Sequence, residues 1–294
     1  MTDAATLFQP RLGRRRAIGR LFSALCLVMT ISGVGILAVL LGRVVADGWS
    51  CVSMKFLTSY PSIMSPENAG IKSSLWGTIW LIAITAAVAV PLGVGAAIYL
   101  EEYARKTRFT RFIQLNITNL AGVPSIVYGI LGLAIFIRSM ALGRSVLAGG
   151  LTMALLVLPV IIIAAQEALA AVPSSLRQAA YALGATRWQM VWHHVLPAAL
   201  PGIATGVILA LSRAIGEAAP LVMIGAQAYI AFVPRGLGDA FTALPIQIFN
   251  WCDQPQAEFH RLAAGAIIVL LTILLCINGV AIAIRGWQQR KATW

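Results

Sequence analysis

Two opposite charges, Arg213 and Glu217, stand inside the stretch "LALSRAIGEAAPLVMIG" (Leu209 to Gly225), with no other charged residue for a dozen positions on either side. Placing either charge at membrane depth costs about 2.5 to 3.5 kcal/mol on insertion scales, so an apolar run keeps them only for a reason. At a spacing of i, i+4 they share a helical face and can pair, although arginine ahead of glutamate is the weaker order. A guanidinium in that setting offers forked donors to a tetrahedral oxyanion. Glu217 would hold the arginine in place, keep the empty site neutral and ease release of the anion. The competing reading is a self-neutralising pair that only fixes helix packing. If a helix begins near Pro197, Arg213 lies about 24 Å along it, inside a hydrocarbon slab of about 30 Å.

A second group interrupts the apolar run from Phe112 to Ile137: Asn119, Gly122, Pro124 and Ser125. Pro124 removes one backbone donor and frees a carbonyl. Irregular backbone at membrane depth is tolerated only where protein or a water-filled cavity satisfies it. Asn119 and Gly122 to Ser125 are therefore placed beside a wet path, with Ser125 and freed amides as weak anion donors; a plain helix kink is the alternative. Gly129 and Gly132 nearby suit close helix packing.

Both groups need spanning helices to position them, and the composition supplies these. Of 294 residues, 59% are hydrophobic and 11% charged, and mean hydropathy is +0.84, whereas soluble domains carry roughly 25% charged residues. Uncharged stretches long enough to span run over Leu21–Gly42, Ser73–Leu100, Phe112–Ile137, Ser145–Gln166 and Leu262–Ile284, and a further crossing lies in Leu196–Val233. The expected fold is an all-α polytopic membrane protein with six transmembrane helices. Residues 1–20 form a basic tail, 21–45 the first helix, 73–284 a core of five helices with a cytoplasmic loop at about 170–197, and 285–294 a second basic tail. The segments "RLGRRRAIGR" (11–20) and "RGWQQRKATW" (285–294) are both basic without compensating acids, which puts both ends in the cytoplasm by the positive-inside rule, and roughly two thirds of the Lys and Arg fall on that side.

The net charge of +12 is explained by this bias. No nucleic-acid partner is expected, because that needs a water-soluble basic face. The first apolar stretch is too long for the apolar part of a signal peptide and reads as a retained helix. Cys26 and Cys276 fall within spans. Cys51 and Cys252 fall in two different external loops, where an oxidising compartment could join them. After the second span, "LEEYARKTRFTR" reads as a solvated basic turn with Glu101 and Glu102 near Arg105 and Lys106 at helical spacing; a grip on a partner protein is the alternative.

The loop "AAVPSSLRQAAYALGATRWQMVWHHVLPAALPG" carries a sharper pattern. Ser175 with Gln178, and Thr186 with Gln189, fit capping boxes, and Gly184 sits where a helix C-cap wants positive φ. Two short helices joined by a tight turn follow, ended by Pro197 where the next span begins. Leu176, Ala179, Ala180 and Leu183 form an apolar face that wants a partner protein. A helical connector and a DNA-binding helix-turn-helix are the other readings. No metal site is expected, since His193 and His194 point about 100° apart on a helix with no carboxylate or cysteine nearby.

This loop resembles the EAA motif of ABC-importer permeases: Glu-Ala-Ala, three residues, Gly, nine residues, Ile, one residue, Leu-Pro. Gln178, Ala179, Ala180, Gly184, Leu196 and Pro197 occupy the pattern, with Gln178 for Glu and His194 for Ile. The resemblance implies a coupling helix that sits in a cleft of a separate ATPase subunit. No G-x-x-x-x-G-K-[ST] phosphate cradle exists in the chain, so it is expected not to be an enzyme and to bind no cofactor, ATP and magnesium being used by the ATPase. "SRAIGEAAPLVMIG", "LAGVPSIVYGILGL" and "FTALPIQIFNW" together resemble the phosphate-specific ABC importer permeases, the last phrase pointing to their A-type subunit. That likeness covers the chain from about Ser73. It implies a type I ABC importer permease fold, a homologous C-type permease partner, two ATPase subunits, an external phosphate-binding protein, and transport that depends on Arg213 and Glu217.

The mechanism so implied is alternating access driven by ATP, since moving an anion against an inside-negative potential costs about 2.3 kcal/mol per charge per 100 mV. Sulfate, molybdate and phosphonate compete with phosphate as cargo, because one arginine does not choose among tetrahedral anions. A stand-alone secondary transporter or channel would need no partner for the loop. A membrane enzyme ranks last, with neither H-E-x-x-H nor a nucleophile beside its base. The last external loop, "VPRGLGDAFTALPIQIFNWCDQPQAEFHR", either meets the delivering protein or lies on the membrane lipid through Phe249 and Trp251.

Overall fold

The computed structural model describes residues 12–227 and 229–291; residues 1–11 of the expected N-terminal tail and 292–294 of the C-terminal one lie outside the described residues. All its named elements are helical, because hydrocarbon offers backbone groups no partner and each segment must close its own hydrogen bonds. In chain order these are α1 (Leu12–Gly48), α2 (Met54–Thr58), α3 (Lys72–Ile98), α4 (Arg108–Ala121), α5 (Ser125–Gly132), α6 (Val146–Ala170), α7 (Ser174–Ala182), α8 (Arg187–Met190), α9 (Leu196–Ile215), α10 (Ala219–Met223), α11 (Leu244–Cys252) and α12 (Ala257–Lys291). Wider π-helical turns follow α3 at Tyr99–Tyr103, α5 at Leu133–Ser139 and α8 at Val191–Val195.

The core is α3, α6 and α9. Leu81 packs into the notch at Gly149, Ile84 into that at Gly150, and Ile161 into that at Gly93; Thr85 Oγ1 also donates to Gly150 O at 3.2 Å. Such small residues let membrane helices approach closely enough for dispersion to hold them. The paired numbers rise together, so α3 and α6 run parallel. α9 runs the other way, with Gly202 on Ala168 and Gly206 on Ala164.

Parallel α3 and α6 decide what the segment between them does. It must return the chain from one end of the bundle to the other, so α4 and α5, bent by 102° at their break, form one broken crossing rather than a re-entrant hairpin. With the five other candidate spans the chain crosses six times. The expected third span is thus present but sharply turned, because Pro124 cannot donate to the helical ladder.

Other boundaries differ from the sequence reading. α1 and α12 extend into the expected tails, where residues 12–20 and 285–291 carry no proline to stop them. The fifth crossing starts at Arg187 and not at Pro197, and one helical run continues to Ile215. In its π turn Leu196 N donates to Val191 O, five residues back, and the helix passes Pro197 without ending. α11 is no surface element: Leu244, Ile246, Gln247 and Trp251 are buried, and Trp251 lies 6.1 Å from the Phe56 ring, while Phe249 is exposed. Cys51 and Cys252 are unpaired. α1 is exposed along its length and closes on the rest at Gly48, against Ala264 and Gly265.

Candidate translocation site and docking loop

Arg213 sits in the last turn of α9, where the free carbonyls of a helix C-terminus favour a cation. Gly216 ends that helix, and its N–H donates to Arg213 O at 3.1 Å. Glu217 is therefore off the regular helix, yet its Oε1 still lies 3.7 Å from Arg213 Nε. The arginine side chain is 60% exposed and the glutamate 22%, so the guanidinium is the presented member. From the start of α6 to Ala164 is about 27 Å, and from Gly206, beside Ala164, back up to Arg213 is about 10 Å. Arg213 thus lies about 16 Å from the start of α6, midway through a slab of about 30 Å. At this level Ser212 Oγ donates to Asn278 Oδ1 at 2.7 Å, tying α9 to α12.

The two interrupted crossings meet. Immediately after Glu217, α10 packs on α5 at Gly129, where a Cβ would lie 2.7 Å from Met223 Cβ and 2.8 Å from Pro220. Below that contact is the α4–α5 break. Gly122 N donates to Asn119 O at 3.1 Å and Val123 N to Leu120 O at 3.0 Å, and Tyr128 Oη crosses the break to donate to Leu120 O at 2.7 Å. Asn119 and Gly122 are exposed and Ser125 is half-buried. These three share one break, and Arg213 and Glu217 share another. The α5–α10 contact joins the two, and among the described residues no hydrogen bond or ion pair links the pair to Asn119 or Ser125.

The loop between α6 and α9 carries the second set. Gly184 has φ +80°, and Ala185 N donates to Ala180 O at 3.1 Å, the glycine C-cap read from the sequence. Thr186 and Gln189 form a reciprocal capping box. Ser175 and Gln178 do not: α7 starts at Ser174 behind Pro173, so Ser175 is already inside the first turn and no side chain caps it. The apolar face is also divided. Ala180 is 3% exposed and packs inward with half-buried Leu176, whereas Leu183 is 86% exposed and Gln178, Ala179 and Gly184 are open. Half-buried Leu196 and exposed Pro197 lie inside the continuous helix. Trp188 and Trp192 stack at 5.3 Å on an exposed face.

One ion pair escaped the sequence reading. Glu102 does not face Arg105 or Lys106; it is 6% exposed and meets Arg177 of α7, Nη2 to Oε1, at 2.6 Å. Arg177 Nε adds contacts of 3.2 and 3.4 Å to the same carboxylate. Its remaining donors reach Val172 O at 2.7 Å and Leu169 O at 2.9 Å. On the other arm of the loop, Arg187 lies over the Tyr103 ring at 5.2 Å. Partners 75 positions apart leave no local signal; the clue available was a glutamate at the end of an apolar span.

A family model described as the binding-protein-dependent transport system inner membrane component matches residues 89–293. The chain belongs to this family. It is 31% identical over 288 residues to the phosphate transport system permease protein PstA 1 of Mycobacterium tuberculosis, covering 97% of this chain and 94% of that one. It is 34% identical over 282 residues to the phosphate transport system permease protein PstA of Yersinia pestis, covering 94% of each. Among solved structures, a bacterial alginate ABC transporter in complex with an alginate pentasaccharide-bound periplasmic protein matches with a TM-score of 0.64 at 17% identity, over 94% of this chain and 98% of that one. The inward-facing MetNI methionine ABC transporter matches with a TM-score of 0.59 at 18% identity, over 74% and 94%. These structures give the fold, that of type I ABC importer permeases. As an inner membrane component of such a system, the chain is a multi-pass membrane protein and one part of a transporter complex.

Proposed function

We propose that this chain is the permease subunit of an ATP-driven importer that moves inorganic phosphate into the cell by alternating access. The observation that carries the reading is a guanidinium presented midway through the bundle, beside the meeting of two broken helices, in a chain whose full-length relatives bear the name of phosphate permeases. Arg213 supplies the donors, Glu217 keeps them in place, and Asn119, Gly122 and Ser125 line the path below. The partners are a homologous C-type permease covering the open side, two ATPase subunits that use ATP and magnesium, and an external binding protein. The exposed part of the loop, Gln178, Ala179, Leu183 and Gly184, docks on the ATPase. Both termini then lie in the cytoplasm.

Uptake of phosphate by cells carrying Arg213→Gln, with subunit levels held equal, tests this. The expected loss is about 10- to 100-fold, the worth of a charge-assisted hydrogen bond. Undiminished uptake would reduce the pair to a packing device. Since the guanidinium fits any tetrahedral oxyanion, sulfate, molybdate and phosphonate uptake in the unaltered transporter decides between phosphate and its competitors.

A further inference from the structure

α3 is fastened at both ends, and each fastening leads to a different functional region. At the loop end its π turn, Tyr99–Tyr103, points Glu102 inward, where Arg177 grips the carboxylate with one guanidinium edge and, with its other donors, Leu169 O at the end of α6 and Val172 O in the turn just after it. At the opposite end Gly77 abuts Thr242 O, and Leu244 N donates to Thr78 Oγ1 at 2.9 Å. Between the fastenings run about 37 Å of helix, α3 and its π turn, seated along α6. The far fastening reaches the site: Gln227 N, just beyond α10, donates to Phe241 O at 3.1 Å, and α10 directly follows Glu217.

We propose that Glu102 is a positioning residue that, through Arg177, hands a displacement of α7 to α3, which carries it to the 229–244 segment over the opposite end of the passage. Backbone continuity already links α7 to α6 and α9. Among the described residues, the Glu102–Arg177 pair is the polar bond from α7 to the turn that ends α3. Being 6% exposed on the carboxylate side, it is little screened by water or salt, and its forked geometry resists sliding and rotation. The Arg187–Tyr103 contact holds the other arm of the loop to the same turn. A tie of this kind transmits motion only while both partners keep their geometry. This inference rests on the ATP-driven import reading and names the route by which the docking loop acts.

The test uses the complete transporter in liposomes, with its ATPase and binding protein, in the unaltered form and as Glu102→Gln and Arg177→Lys. The lysine keeps the charge and cannot span the carboxylate and two carbonyls together. ATP hydrolysis is expected to stay within about twofold while uptake falls about tenfold, inside the usual range of coupling between sites. A spin label at Leu237, exposed in the 229–244 segment, should lose its ATP-driven shift. Unchanged uptake, or hydrolysis and uptake falling in proportion, would overturn the proposal, and so would failure of both variants to assemble. Hydrolysis and the label shift are read without regard to cargo. A phosphate reading that fails at Arg213 therefore leaves this result standing, and the reverse also holds.

Discussion

At the scale of single residues, the two members of the Arg213–Glu217 pair have unequal settings. At 3.7 Å and with the arginine 60% exposed, the pair is a loose ion pair, of the kind worth about 0 to 1 kcal/mol. The end of α9 holds the cation as much as Glu217 does. The glutamate's part on the import reading is thus to compete with the cargo. Glu217→Gln should lower the KM for uptake and the maximal rate together, each by about 5- to 10-fold, because removing the competitor strengthens ground-state binding and slows release; uptake kinetics at matched subunit levels would show it, and an unchanged KM would remove the competing role. This pair was readable because a four-residue spacing is local. Glu102 was misassigned by the same rule: Arg105 and Lys106 stand at helical spacing, but the chain leaves the helix at Ala104 and the π turn rotates the carboxylate inward.

At the scale of elements, α7 separates two roles that the sequence joined. Gly184 and the Thr186–Gln189 box were legible, since each satisfies identifiable backbone groups within a few residues. Which side of α7 faces inward was not, since Leu176, Ala179, Ala180 and Leu183 are alike in hydrophobicity and only packing against the π turn at Val191–Val195 and its apolar cluster chooses among them. Ala180 went inward and Leu183 outward. Leu183→Glu should leave folding within about 0.5 kcal/mol yet weaken copurification of the ATPase about tenfold or more, as loss of a central contact does. Ala180→Asp should instead cost more than about 2 kcal/mol by burying an unpaired charge, seen as reduced subunit level. Normal ATPase copurification with Leu183→Glu would move the docking surface elsewhere on the loop, the Trp188–Trp192 stack being the nearest exposed candidate.

For the molecule as a whole, hydrophobicity and charge bias made the count of six crossings legible. The sharp bend of the third and the meeting of α5 with α10 were not, because a proline and a glycine mark a weak point and do not give its angle. α1 stands apart from this core, exposed through its apolar length. Replacing residues 21–42 by an unrelated polyleucine span should preserve at least about half of uptake, since little packing is lost; uptake below a tenth at normal subunit level would show a specific role for that surface. The uncharged stretch of α1 is about 33 Å long, close to the hydrocarbon thickness, and Arg20 and Arg43 bracket it. α1 is in this respect a gauge pinned upright at both water boundaries, and Gly48 passes its height to the start of α12. Lipids of shorter or longer chain tilt or stretch such a gauge, so the turnover of the assembled transporter should peak at the acyl length that leaves α1 unstrained.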